Sequence, residues 1–268
     1  PEHRRALEQG SGIAPGIITA RAYRTVTSKP ELASLGFRPS QLRVPGLLIP
    51  LYAPDGTAAG YQFRPDSPRT NRNGKLVKYE IPAGNGIRID CPPPCQSEIA
   101  DPLVALWITE AVKKGDSLVS QGLCALDLMG VWGFKGKNLL GGTTVLADLD
   151  YVAWNGRPVF IAFDSDVMTK PQVHDALIRF SEHLRRRDAH VWLVFLPEGP
   201  NRTKVGVDDF LAAGHNVQEL EALAKAPEDA PKALPSLVRE QLPDAPVAAE
   251  ARVPEPYRLK PNGLFLVV

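Results

Sequence analysis

Acidic side chains follow three separate apolar segments of this sequence, and they are the residues best suited to chemistry. Glu110 ends the segment LVALWITE, Asp164 and Asp166 end RPVFIAFDSD, and Asp208 with Asp209 follow HVWLVFLP by a short loop. Two aspartates separated by one residue project to the same side of an extended chain, so Asp164 and Asp166 can offer oxygens to one hard cation. Mg²⁺ suits them, because it takes few carboxylates, keeps several waters and neutralises charge on a transferring phosphoryl group. The acids therefore predict a site for Mg²⁺, or for Mn²⁺ in its place.

The same acids also have a purely structural interpretation. Acids at strand ends often cap helices or face solvent, and an Asp-x-Asp pair alone does not exclude this. Asp209 can be the N-cap of a helix that begins FLAAGHN, so the pair Asp208 and Asp209 is left open between cap and metal ligand. The metal interpretation depends on acids from separate segments converging, since carboxylates without a cation repel one another.

The elements that must position these acids alternate between strand and helix from about residue 103 to residue 215. Four apolar segments read as strands, and residues between them recur at helical spacing, at Val173, Ala176, Leu177, Phe180 and Leu184. Such alternation predicts a parallel sheet with right-handed crossovers, in which ligands bind outside the carboxyl ends of the strands. We expect an α/β fold with about four parallel strands, flanking helices and the acids at one edge.

Composition divides the chain into four parts. Residues 1–98 are rich in Pro, Gly and Arg, with a hairpin signal at Pro54-Asp55-Gly56, and predict a smaller β-rich α+β domain. Residues 99–225 hold the strand-helix alternation. The Pro- and Ala-rich residues 226–256 indicate a linker. The closing residues 257–268 end on an apolar segment, and we expect them to begin a following domain that is cut short.

Basic residues near the acids are candidates for binding phosphate. Lys113 and Lys114 come just after Glu110, but a solvated helix face explains them equally well. Lys204 is the better phosphate candidate.

A second basic group lies in the N-terminal part, interleaved with aromatic residues. Such a mixture can hold a nucleic-acid backbone while rings stack on bases, and the alternative is a polar hairpin surface with ordinary core aromatics. The basic residues are Arg64, Arg69, Arg72, Lys75 and Lys78, and the aromatic residues are Tyr61, Phe63 and Tyr79.

Charge and cysteine content set broader limits. The chain has 31 Lys and Arg against 30 Asp and Glu, so its net charge neither requires nor excludes a polyanionic partner. Three cysteines in 268 residues fit a reducing compartment better than a disulfide framework, and no apolar run has the length of a bilayer span or of a signal peptide. We expect a cytoplasmic protein without a membrane partner.

The motifs ITEAVKKG, Gly130–Trp132, VFIAFDSDV, KPQV and KVGVDDFLAAG, in this order and spacing, resemble the Toprim-like domain family. The resemblance is to its members in primase-helicase proteins of phages, plasmids and integrated elements. The segments PGLLIPLYAPDG, YQFRPD and KYEIP resemble the part that precedes the Toprim domain there, so the similarity extends over roughly Ala6 to Gly214.

The resemblance implies a role for each acid. Glu110 stands where the family has its general acid/base, and Asp164 and Asp166 stand where it holds the metal. The segment from Lys204 to Asp209 is implied to line the site, with Asp208 as a further ligand. The implied partners are a single-stranded DNA template, nucleotide triphosphates and a C-terminal helicase-type domain in the full-length parent.

Three functions fit these residues. The first is metal-dependent nucleotidyl transfer by the Toprim part of a DNA primase, the second is hydrolysis of DNA by the same residues, and the third is a non-catalytic DNA-binding module that recruits a helicase. The chain departs from bacterial primases in one respect: Cys91 and Cys95 have no second pair and no His at finger spacing, so a zinc site cannot be completed.

Overall fold

The computed structural model of the chain describes residues 2–84, 86–137 and 140–233, and the strand residues 257–259 and 265–267. The described residues up to Ala233 form one compact unit. No helix in the described ranges is both long and apolar enough to cross a membrane. Most of the predicted linker 226–256 lies outside the described residues.

The helices and strands are numbered here in chain order. Within the described part of the chain, helices α1 to α7 are Glu2–Gly10, Pro15–Arg21, Lys29–Ser34, Val112–Ser120, Pro171–Arg185, Val207–Ala212 and Val217–Ala222. Strands β1 to β14 are Arg24–Val26, Gly46–Tyr52, Ala58–Pro65, Arg69–Thr70, Leu76–Val77, Leu106–Thr109, Cys124–Asp127, Lys135–Lys137, Thr143–Val145, Pro158–Phe163, His190–Phe195, Ala224–Lys225, Tyr257–Leu259 and Phe265–Val267.

A five-stranded sheet forms the centre of the unit, in the order β12-β11-β10-β6-β7. Strands β11, β10, β6 and β7 are parallel, and the two-residue β12 pairs antiparallel with β11. Strands β6 and β7 are buried along their whole length, as expected for strands covered on both faces. The predicted fold class, an α/β core with about four parallel strands behind a β-rich part, is confirmed.

The crossovers place helices on both faces of this sheet. The chain leaves β6 through α4 toward β7 and leaves β10 through α5 toward β11, in opposite directions along the sheet. Right-handed crossovers therefore put α4 and α5 on opposite faces, with the switch point between β6 and β10. Helix α5 buries an apolar stripe, in which the Phe180 ring stacks on Phe134 with 4.5 Å between centroids.

The N-terminal part is built on an antiparallel sheet in the order β1-β2-β3. Strand β2 alternates between two apolar clusters, as a strand must when both of its faces are covered. Leu47 and Ile49 belong to a cluster with Val112 of α4, whereas Leu48 packs in a cluster with Phe63. The predicted turn between β2 and β3 is present, because Asp55 Oδ1 accepts hydrogen bonds from the backbone and hydroxyl of Thr57.

A buried ionic network also ties the N-terminal part to α4 and β7. The guanidinium of Arg21, fully buried at the end of α2, donates to both carboxylate oxygens of Asp116 and to Asp90 Oδ1. Tyr23 donates its hydroxyl to Asp116 Oδ2 at 2.6 Å. Backbone hydrogen bonds of 2.8 and 2.9 Å join Asp90 to Asp127 at the end of β7. This network fixes α4, the helix that carries two of the lysines beside the candidate site.

Strands β13 and β14, beyond that unit, pair antiparallel with each other, with Tyr257 opposite Val267. The following domain that the sequence predicts there stays a prediction.

Candidate metal and phosphate site

Three carboxylates meet at the carboxyl edge of two adjacent parallel strands. Glu110 directly follows β6, Asp164 directly follows β10, and Asp166 lies in the 3-10 helix Ser165–Met168. Because β6 and β10 are neighbours in register, the residues that follow them come together, and one oxygen from each of the three lies within 4.8 Å of the others. The Asp164 backbone N–H also donates to Glu110 Oε1 at 3.4 Å. We call Glu110, Asp164 and Asp166 the carboxylate group.

The donor set fits Mg²⁺ or Mn²⁺. The group offers only carboxylate oxygens, which hard divalent cations prefer, and so few protein ligands leave room for water and substrate phosphate. Asp166 Oδ1 is buried and has no hydrogen-bond partner, so one ligand atom is available in the group. A buried polar atom of this kind is costly unless a further partner completes its coordination.

Two lysines reach into the carboxylate group from different elements. Lys114, one turn after Glu110 on α4, lies 3.5 Å from Glu110 Oε1 and pairs with Asp164 Oδ1. Lys204 pairs with Asp164 Oδ2 and lies 3.6 Å from Glu110 Oε1 and 3.4 Å from Asp166 Oδ2. Lys114 is mostly buried, whereas Lys204 is 49% exposed.

The surroundings shift the pKa values of Glu110 and Asp164 in opposite directions. Burial, and to a smaller extent the nearby Asp164 charge, raise the pKa of Glu110 to about 7, although Lys114 and Lys204 act to lower it. Burial also acts to raise the pKa of Asp164, but the ammonium of Lys114 and hydrogen bonds from its neighbours lower it below its usual value. Asp164 therefore stays ionised at neutral pH, while Glu110 can exchange a proton there.

Asp208 lies beside the carboxylate group rather than within it. Its Oδ2 is 3.9 Å from Lys113 Nζ, and that ammonium donates to Ser11 Oγ at 2.8 Å. Burial raises the pKa of Asp208, and Lys113 lowers it in part. Asp209 has a different position, because its Oδ2 accepts from the Gly206 backbone N–H at 2.8 Å at the start of α6. The predicted N-cap role of Asp209 is therefore wrong, because Gly206 is the N-cap of α6 and Asp209, at the third position of the helix, bonds back to it. Asp208 as a metal ligand stays a prediction.

The predicted basic residues of the N-terminal part are divided between two environments. Arg64 and Lys78 line a cavity of about 490 Å³ together with Lys113 and residues of α1. Arg69 instead forms an ion pair with Glu80 at 2.6 Å, and Arg72 is exposed in the turn between β4 and β5, outside the cavity lining.

The aromatic residues interleaved with them also differ. Phe63 is fully buried in a core cluster, which agrees with the structural alternative for that ring. The Arg64 guanidinium lies 5.9 Å from the centroid of the Tyr79 ring, a cation–π contact, and Tyr79 itself is not part of the cavity lining. Arg64, Lys78 and Lys113 outnumber the acids Glu2 and Asp66 in the cavity lining, so the cavity is basic. Lys113 connects it to the carboxylate group, because the next residue, Lys114, pairs with Asp164.

Two residues at the site escaped the sequence reasoning. Lys170 Nζ lies 2.7 Å from Asp166 Oδ2, and its i,i+4 spacing from that acid was a signal available in the sequence. His3 of α1 lines the basic cavity, and nothing in the sequence connects it with residues more than sixty positions away.

A comparison with protein families gives a match in the part of the chain that holds the parallel strands. A family model described as a domain of unknown function (DUF3854) matches residues 96–217. No curated protein matches the sequence.

Solved structures of DnaG-type primases are similar over most of the chain. The Aquifex aeolicus primase fragment with zinc-binding and RNA polymerase domains has a TM-score of 0.56 and 16% identity, over 83% of this chain and 55% of that one. The DnaG catalytic core has a TM-score of 0.57 and 16% identity, over 84% and 73%. A DnaG primase catalytic domain bound to single-stranded DNA has a TM-score of 0.55 and 17% identity, over 84% and 74%.

The class that these findings define is a primase-type α/β core. The chain has the fold of DnaG-type primase catalytic cores, and it spans about half of the length of the Aquifex aeolicus chain. At these identities the similarity establishes the fold alone.

Proposed function

We propose that this protein catalyses metal-dependent nucleotidyl transfer on nucleic acid, as the Toprim primase domain of a mobile-element replication protein. The observation that carries the proposal is the carboxylate group at the carboxyl edge of the sheet, with a basic cavity beside it. Neither feature alone is specific, since acidic groups and basic grooves both occur without catalysis. Their proximity is what phosphoryl transfer needs, because the reaction depends on positioning and on neutralising charge.

Each side chain of the carboxylate group has a role in this proposal. Asp164 and Asp166 would hold Mg²⁺ or Mn²⁺, which when bound neutralises charge on the triphosphate and aligns it with the primer 3′ oxygen. Glu110, with a pKa of about 7, would accept or donate a proton as the general acid/base. Asp208 stays a candidate further ligand, held next to the group by Lys113.

The basic residues would bind the phosphates of the substrates. Lys113, Arg64 and Lys78 would bind a nucleotide triphosphate or the template backbone in the cavity. Arg69 and Arg72 would contribute only at the outer surface, because Arg69 already pairs with Glu80. The implied template is single-stranded DNA, which one of the similar primase domains binds. A helicase-type domain would follow in the full-length parent.

Template-directed synthesis of oligonucleotides tests the proposal. The full chain with single-stranded DNA, nucleotide triphosphates and Mg²⁺ or Mn²⁺ should form products, and Asp164→Asn should lower the rate by about a hundredfold or more, the scale of losing an electrostatic contact in a catalytic site. Asp175→Asn, which removes an exposed carboxylate on α5, is the matched control and should retain the wild-type rate.

A nicking assay on supercoiled plasmid with the same metals separates the alternatives. Nicking without nucleotides and without primer synthesis would replace the proposal by the nuclease function. Binding of single-stranded DNA without either activity, in the full-length parent under conditions that support a known primase, would replace it by the non-catalytic module.

A further inference from the structure

Lys204 occupies an unusual position in the carboxylate group. Its ammonium is within 3.6 Å of an oxygen of every member, whereas Lys170 contacts only Asp166. A divalent cation held by Asp164 and Asp166 would need the same space. Two cations cannot share it, since their repulsion at such a distance exceeds thermal energy even in a polar environment.

The lysines around the carboxylate group balance its negative charge. Glu110, Asp164 and Asp166 together carry a formal charge of −3 when ionised, and Lys114, Lys170 and Lys204 together carry +3. With all three lysines in place the net formal charge is zero, so little attraction remains for a divalent ion. When Lys204 leaves, the group regains negative charge and the central space.

Lys114 and Lys170 are less suited than Lys204 to leaving the carboxylate group. Lys114 is mostly buried on α4 and pairs with Asp164 from within the protein, so its removal would leave a buried charge unpaired. Lys170 is as exposed as Lys204, at 52%, but lies to the side of Asp166. Lys204 combines exposure with the central position, and it lies on the segment between the 3-10 helix Pro200–Arg202 and α6.

We propose that Lys204 is a tethered cation that occupies the metal position until a divalent ion displaces it, and that the displaced ammonium then binds the phosphate of the incoming nucleotide. This inference rests on the proposed function, because it assigns Lys204 to the same metal and phosphate site. The exchange couples the two binding events, because Lys204 can bind phosphate only after the ion has replaced it at the carboxylates. Lys204 is thus a positioning residue that orders metal before nucleotide.

Metal titration of the full chain by calorimetry tests the first part of this proposal, the competition between Lys204 and the divalent ion. At low ionic strength Lys204→Met should bind Mn²⁺ about tenfold more tightly than wild type, because the competing charge is gone. Lys204→Arg should stay near wild type. Lys170→Met, the matched control, should change the affinity by about threefold or less, as expected for an exposed pair outside the centre.

Amine labelling with mass spectrometry gives a readout that does not depend on activity. Saturating Mn²⁺ should increase the labelling rate of Lys204 in the wild-type chain, with exposed Lys225 as internal reference. In the presence of Mn²⁺, a non-hydrolysable nucleotide triphosphate should bind Lys204→Met about tenfold more weakly than wild type, the scale of one charged phosphate contact, and Lys204→Arg should retain the affinity.

The outcomes distinguish this inference from the proposed function. If Asp164→Asn abolishes Mn²⁺ uptake but Lys204→Met binds no more tightly than Lys170→Met, the metal site stands and the role of Lys204 is refuted. Unchanged labelling of Lys204 on addition of Mn²⁺ would refute it as well. If neither wild type nor Lys204→Met takes up the ion, the proposed metal site itself fails, and the inference fails with it.

Discussion

Single residues set how closely charged groups approach at the carboxyl edge of the sheet. Gly206 lies where Asp208, Lys114 and Asp164 meet. A Cβ at this position would be 2.7 Å from Asp208 Oδ1, 2.8 Å from Lys114 Cε and 3.1 Å from Asp164 Oδ1. The backbone of Gly206 is extended, with a φ of −94°, so conformation alone does not require glycine. What requires it is the space that the charged side chains occupy.

Gly206→Ala should weaken Mn²⁺ binding by about tenfold, because the added methyl group must move a carboxylate or Lys114, and a displacement of this size is costly at a catalytic site. Calorimetric titration measures the affinity, and circular dichroism verifies the fold. Gly16→Ala is the control, since a Cβ there meets open space within α2 and should stabilise the protein by about 0.5–1 kcal/mol. Equal metal affinity in Gly206→Ala and wild type would contradict the prediction.

Where α2, α4 and β7 meet, the packing of these elements changes the pKa of a buried carboxyl group. Arg21 neutralises Asp116 and Asp90, but Asp127 at the end of β7 has no hydrogen-bond partner for either carboxylate oxygen. Its carboxyl group packs against Gly115 of α4, where any Cβ would overlap it. Burial raises the pKa of Asp127 well above its usual value, and the charge of Asp90 raises it further. The close packing of α4 on β7 therefore favours a protonated Asp127.

Asp127→Asn should make the protein more stable than wild type, and increasingly so as pH rises. The folded state binds one more proton than the unfolded state between the unfolded pKa of about 4 and the raised folded pKa, so this contribution to stability is present at low pH and is lost as pH rises through that window. The amide of the variant does not titrate in this range, so the variant loses no stability in this way. The advantage of the variant should grow by about 1.4 kcal/mol for each pH unit in the window.

Urea unfolding of wild type and Asp127→Asn at pH 5 and pH 7 measures this difference. Asp188→Asn makes the same chemical change at an exposed position and should alter stability little at either pH. A difference between Asp127→Asn and wild type that does not depend on pH would show that Asp127 keeps the same charge folded and unfolded.

At the scale of the whole molecule, the β-rich part and the sheet share both a core and a buried ionic network. Leu7, Ile13 and Leu47 pack in one cluster with Val112 of α4, and Arg21 has its main charge partner in the same helix. Neither part can keep these groups buried without the other. The sequence boundary near residue 98 thus separates two regions that depend on common interactions, and the two-domain division stays a prediction.

Differential scanning calorimetry should detect one cooperative transition for the unit up to Ala233, with calorimetric and van't Hoff enthalpies in agreement. Mn²⁺ at about a hundred times its Kd should stabilise this transition as a whole, by about 2.7 kcal/mol, although the carboxylate group lies in the sheet alone. Two resolved transitions, of which Mn²⁺ shifts only one, would show instead that the parts fold independently.

The sequence alone determined the architecture and the acids of the site. Apolar runs and helical spacing are local signals, so they located the strands before Glu110 and Asp164 and predicted that both acids lie at one edge of a parallel sheet. The tertiary structure decided which cation meets which acid: Lys204 lies within the carboxylate group, Arg69 pairs with Glu80, and Arg21 with Asp116. Ion pairs form between side chains that packing brings within a few ångströms, and for Arg21 and Asp116 that means segments 95 residues apart, a distance that no periodic pattern encodes.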